Sequence, residues 1–283
     1  AAEARDMRLI AGKVLMDSNC PEALRDDPNS GYADSKALIE RWHGKGRLGY
    51  AITPRFALTS SPEQLAAAGK LAREYPDVWI HTHLAENMDE VEEIARLFPE
   101  SRSYLDVYDE FGLLRERAVF AHCLHMDDED RSLMASKGGA AAFCPTSNLF
   151  LGSGLFDLAD IRAAGIRCGL GTDVGGGTSL SLLNTASEAY KVLHLQDQPL
   201  QAMRALYLAT LGAAEALYLD DKIGNFEKGK EADFVVLDLE GSSLTARRTA
   251  AADTIEEKLF ALMTLADDRN VDSTWVRGVR QTC

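Results

Sequence analysis

The run "WIHTHLAENMDE", Trp79 to Glu90, places His81 and His83 two apart on a β-like stretch, with Glu86 three residues after His83. A strand-end imidazole followed by a nearby carboxylate is suited to hold a metal ion beside a proton carrier. Similar positions recur along the chain. Arg55 stands in "TPRF", His122 in "AHC", Cys144 to Asn148 in "CPTSN", and Asp173 in "GTDVGGG", each where a β-like run ends. Taken singly, each has an ordinary explanation, a satisfied structural histidine or a turn-forming aspartate. Jointly they predict a metal site, because parallel-sheet barrels gather their catalytic side chains where strands pass into βα loops.

Two imidazoles and a carboxylate, from His83, His122 and Asp173, suit Zn²⁺ or Fe²⁺ better than thiol-rich or all-oxygen ions. A catalytic zinc can lower the pKa of its water to about 7, which makes an attacking hydroxide available at neutral pH. Glu86 would then move that proton as general acid and base. Side chains alternate along a strand, so His81 shares a face with His83 but sits about 6–7 Å deeper, and it is expected to be structural. The glycines of "GLGTDVGGG" match neither dinucleotide nor Walker spacing, which argues against a phosphate cradle. The acidic run Asp127 to Asp130 reads as helix N-terminal charge rather than a calcium loop.

The elements that must position these residues alternate. β-like runs at 8–17, 47–56, 77–84, 117–123, 139–145 and 167–173 are separated by helical spacing at 34–43, 62–75, 88–98, 103–114, 128–138 and 155–165. Such alternation calls for right-handed βαβ crossovers and a parallel sheet. Six strands in succession suggest an α/β (β/α)₈ barrel of the TIM type lacking its first two strands. Beyond Asp173 come helical stretches at 180–195, 200–217 and 253–266, with late strands in 224–240 and 273–282 that belong to a small accessory β-sandwich. The expected division is a partial hydrolase barrel over 1–225, then 226–283 as accessory strands plus a helix packing on the barrel.

Composition narrows the field. A net charge of -14 opposes binding to nucleic acid, which relies on Lys and Arg displacing counterions. The chain has no apolar run near the roughly 18 residues that span a bilayer, and no basic-then-apolar leader at its start, so no membrane partner and a cytoplasmic location are expected. Cys20, Cys123, Cys144, Cys168 and Cys283 form no CxxC pair, which argues against a disulfide framework or a Cys-ligated zinc.

The runs "TPRF", "THLAEN", "AHC", "CPTSN", "GLGTDVGGG" and "IGNFEKGKEADFVVLD" resemble the guanine deaminases of the amidohydrolase superfamily, over nearly the whole chain. "TPRF" is the more specific element, since related adenosine-type deaminases usually carry Pro-His there. The resemblance implies that His83 and Asp173 ligate zinc, His122 holds the attacking hydroxide, and Glu86 protonates the purine ring with Asp173 in the relay. It implies that Arg55 and Phe56 recognise guanine next to His83, Glu86 and Asp173, in a homodimeric enzyme of purine breakdown or salvage. The family's first strand carries an H-x-H pair that completes the metal shell, and no such pair precedes His43 here. The expectation is therefore an N-terminally truncated member whose metal binding and turnover are weak as it stands. Two rival expectations are a superfamily hydrolase acting on a pterin, triazine or different purine, and an inactive binding remnant.

Overall fold

The computed structural model describes residues 1–281; Thr282, at the end of the last β-like run, and Cys283 lie outside the described residues. By their contacts the residues group into two compact units, 1–141 with 163–167, and 142–162 with 168 onward. In the first unit lie β1 (Leu9–Ala11), β2 (Val14–Leu15), α1 (Pro28–Trp42), β3 (Leu48–Pro54), α2 (Pro62–Glu74), β4 (Trp79–Leu84), α3 (Met88–Leu97), α4 (Tyr104–Glu110), β5 (Ala118–His122) and α5 (Asp128–Lys137). Next in the chain are β6 (Ala140–Phe143), α6 (Pro145–Leu151), α7 (Leu158–Ala163) and β7 (Arg167–Leu170). The second unit continues with α8 (Leu182–His194), α9 (Ala202–Ala209), α10 (Leu211–Ala216), β8 (Phe234–Leu237), α11 (Ser243–Ala250), α12 (Ile255–Leu265), β9 (Val271–Val276) and β10 (Val279–Arg280).

The strand order β1-β3-β4-β5-β6-β7, with β2 also on β3, matches the βα succession read from the sequence. The first β-like run is two short strands, both parallel to β3. β3, β4 and β5 pair in parallel and supply fully buried Ile52, Ile80, Leu84 and Phe120. Burying each such side chain contributes about 1.5–3 kcal/mol. The late strands form a three-stranded antiparallel sheet in the order β10-β9-β8, as expected of a separate small β-structure. No described helix is long and apolar enough to cross a membrane.

Helix boundaries depart from expectation where local chemistry decides. α1 starts at Pro28 rather than Asp34, because the Asp27 side chain accepts the N–H groups of Asn29 and Ser30 and proline holds the first turn. The single helix expected over 200–217 is two: Thr210 leaves the helical region at φ -128° and ψ -97°. Its hydroxyl donates back to the Leu206 carbonyl at 2.7 Å, a bond that competes with the backbone ladder. α6 and α11 were not anticipated. α6 begins with Pro145 and stops at a left-handed Gly152; α11 is started by a Ser242–Thr245 capping box.

One close approach fixes α2. A Cβ on Gly69 would lie 2.0 Å from the Phe111 carbonyl oxygen, so only glycine fits there without moving backbone. Gly69→Ala should destabilise the chain by about 1–3 kcal/mol in denaturant unfolding, although alanine is the better helix former. A neutral or stabilising result would contradict this packing.

Candidate metal centre and its surroundings

His83 lies near the C-terminal end of β4, and the parallel register sets its neighbour Leu84 opposite His122 at the end of β5. The two imidazoles stack with centroids 5.3 Å apart and 25° between planes. His122 is 1% exposed, so its ring is almost wholly removed from water. Its backbone and that of Cys123 are left-handed, at φ 74° and 54°, a conformation that non-glycine residues rarely adopt. This reversal turns the chain sharply as β5 ends, and the Cys123 amide returns to the Leu84 carbonyl at 2.9 Å.

The hydrogen bond to His83 defines its tautomer. Nδ1 is 2.6 Å from the Arg55 carbonyl oxygen. A carbonyl only accepts, so Nδ1 carries the proton and the lone pair of the neutral ring is on Nε2, the state a metal ligand requires. The His83 amide reaches the same carbonyl at 3.2 Å. Beside it, the Arg55 guanidinium is 4.5 Å from the Phe56 ring centroid, and the Phe56 ring is 5.6 Å from that of His83. Arg55 is exposed and Phe56 half-buried. A cation, an aromatic face and two imidazoles thus follow one another in contact.

Glu86 sits past a left-handed Ala85, with its Oε2 3.7 Å from His122 Nε2. That is beyond hydrogen-bond length but close enough for the carboxylate to act on the ring electrostatically. Asp173, left-handed at φ 46°, stands three residues past β7 and is half-buried. Its carbonyl accepts the Gly177 amide at 2.5 Å. A Cβ on Gly177 would meet the Thr172 oxygen at 2.0 Å, so the glycine run lets the loop close over the aspartate. His83 and His122 offer imidazole nitrogens at neighbouring strand ends of the first unit, and Asp173 offers a carboxylate in the second. Two imidazoles and a carboxylate fit the donor preference of Zn²⁺.

The other sequence candidates fall elsewhere. His81 is exposed. In "CPTSN", Cys144 to Asn148 are buried at the start of α6, with Thr146 donating to the Thr172 carbonyl at 3.1 Å and Ser147 to the Cys144 carbonyl at 3.1 Å. They support the loop that carries Asp173. Asp127 caps α5 and, with Asp130, holds Arg102, a structural role. Among the described residues, Cys20, Cys123, Cys144 and Cys168 are in no disulfide.

Two buried groups were not foreseen. Tyr108 on α4 is fully buried and reaches the end of β4. Glu90, 5% exposed, accepts the Glu86 amide at 3.3 Å while its own amide is capped by Asn87 at 2.9 Å. Burial pushes the Glu90 carboxyl up, the Glu86 charge adds to this, and Tyr104 and His122 oppose it. The Tyr104 hydroxyl, itself buried, is close enough to Glu90 to favour its charged form against the effect of burial.

The sheet is parallel, and its strand ends carry imidazoles and carboxylates. The Amidohydrolase family profile matches residues 1–280, and the chain belongs to that family. It is 52% identical over 278 residues to guanine deaminase of Escherichia coli (strain K12), covering 98% of this chain and 63% of that protein. The solved structure of the E. coli enzyme superposes with TM-score 0.98 at 51% identity, over 100% of this chain and 66% of that one. Guanine deaminase from C. acetobutylicum, with guanine bound in its active site, matches with TM-score 0.87 at 31% identity, over 95% and 64%. An adenosine deaminase from Xanthomonas campestris with bound zinc matches with TM-score 0.85 at 25% identity, over 99% and 62%. The chain spans less than two thirds of the length of each of these proteins.

Because folding raises the Glu90 pKa, the protonated carboxyl stabilises the fold below the ordinary value of 4.5, and that stabilisation is lost as pH rises through the folded value. Glu90→Gln removes the cost of ionisation. The melting temperature of the variant relative to the parent should therefore increase as pH is raised from about 4 to 8. A difference independent of pH would show that Glu90 does not titrate in this way.

Proposed function

We propose that this chain forms most of the catalytic part of an aminohydrolase that converts guanine and water to xanthine and ammonia. The observation carrying this reading is the unbroken series Arg55, Phe56, His83 and His122, with Glu86 against His122. It puts a cation and an aromatic face next to two imidazoles and a carboxylate, which supports recognition of an aromatic ring there. The relatives named guanine deaminase support the choice of substrate.

His83 and Asp173 are the proposed zinc ligands, with His122 completing the donor group and orienting the attacking water. The ion supplies an activated water at neutral pH. Arg55 offers fixed donors to the carbonyl edge of guanine, and Phe56 provides an apolar face for the ring. Water oxygen adds to the carbon bearing the exocyclic amine. Glu86 takes the water proton and delivers it to the ring nitrogen, and Asp173 passes the second proton to the departing amine, which leaves as ammonia. The reading extends to residues 1–225 as the hydrolase part and 226–283 as accessory, to zinc in preference to iron, and to a cytoplasmic homodimer in purine breakdown or salvage.

Guanine turnover is to be measured on the zinc-loaded chain, alone and joined to the segments of the E. coli relative that this chain leaves unmatched. Xanthine and ammonia in equal amounts from either form support the reading; neither product from both forms rules it out. In the active form, Arg55→Ala should raise KM for guanine about 10- to 100-fold, the value of a hydrogen bond to a charged group. Indifference to that change would favour a different ring substrate. His83→Ala and Asp173→Asn should each weaken zinc binding by more than the about 10- to 100-fold lost when an outer partner is removed. Metal analysis after dialysis against a chelator would read this, and full retention by either variant would remove that residue from the site.

A further inference from the structure

Tyr108 is 0% exposed, and its hydroxyl makes three contacts that join separate segments. It is 2.8 Å from the His83 carbonyl, 3.0 Å from the Ala57 amide nitrogen and 3.0 Å from the Thr82 hydroxyl. The His83 carbonyl can only accept, so the phenol gives it its single proton and accepts from Ala57 and Thr82. The Thr82 hydroxyl is also 3.3 Å from the Arg55 carbonyl, the same oxygen that fixes the His83 tautomer.

These contacts surround the segment 55–57 from two sides. Arg55 is tied to His83 through its carbonyl, and the amide two residues on is tied to His83 through Tyr108. Between them, Phe56 has φ -167° and ψ 166°, an extended residue held at both ends. The ring of Tyr108 is fixed in turn by Tyr104 and Phe120, at 5.6 and 5.5 Å. Buried backbone groups left without a partner cost about 1–3 kcal/mol each, so loss of the phenol oxygen would press this segment to move.

We propose that the Tyr108 hydroxyl is a positioning group that clamps the Arg55–Phe56 segment to the strand end bearing His83, and so sets the affinity for the purine. It touches neither substrate nor metal and acts through Ala57 and His83. The proposal deepens the reading of Arg55 and Phe56 as substrate contacts and rests on it.

Tyr108→Phe deletes only the oxygen, and Ala57→Pro deletes the bond from the other side, at the first position of a 3₁₀ turn where proline is tolerated. Three readings are to be taken on the full chain in the form active under Proposed function: hydrogen exchange over residues 55–59, guanine affinity of the metal-free protein by equilibrium dialysis, and KM against kcat. The clamp predicts faster exchange confined to 55–59, and guanine affinity and KM weakened about tenfold, with kcat and zinc content within about twofold of the parent. Unchanged exchange at 55–59 overturns it. So does a general rise in exchange across β4 and α4 with KM unmoved, which marks a core residue only. If Tyr108→Phe fails to fold, Ala57→Pro gives the same readings. A parent that neither binds nor deaminates guanine sinks the functional reading alone, and the exchange data still decide the clamp.

Discussion

The geometry around His83 depends on one carbonyl oxygen, that of Arg55. It accepts the imidazole Nδ1–H and the His83 amide together, so one backbone atom selects the ring's proton position, aims its Nε2 and joins β4 to the segment after β3. A side chain doing the same work could rotate away; a backbone carbonyl in a paired strand region has no such freedom. His83 and the segment 55–56, the proposed ligand and the proposed substrate contacts, are therefore tied to each other by the backbone.

Charge is arranged in graded steps around this point. Arg55 is exposed, Phe56 and His83 are half-buried, and His122 is enclosed. Glu86 approaches the enclosed ring, and Glu90 beneath it is a carboxyl that burial favours in its neutral form.

Much of this was legible in the sequence. The alternation of β-like and helical runs was visible in periodicities of two and 3.6, and ionisable residues at strand ends were visible by position. The register that opposes Leu84 to His122 follows from the parallel sheet. What stayed hidden depends on partners distant in the chain. Tyr108 and Glu90 look like ordinary helix residues until packing buries them, and no spacing announces that a phenol on α4 will meet the Ala57 amide, 51 residues away. Thr210 was hidden for the opposite reason. Its break is local, but apolar spacing continues through it and overrides the weak signal of one β-branched residue.

The left-handed pair at His122 and Cys123 has a consequence for any attempt to make the protein more heat-tolerant. Each such residue holds about 1 kcal/mol or more of conformational cost, and glycine would release it. Glycine at His122 would also remove an enclosed imidazole of the proposed site, so durability and the proposed chemistry compete for the same bend in the chain.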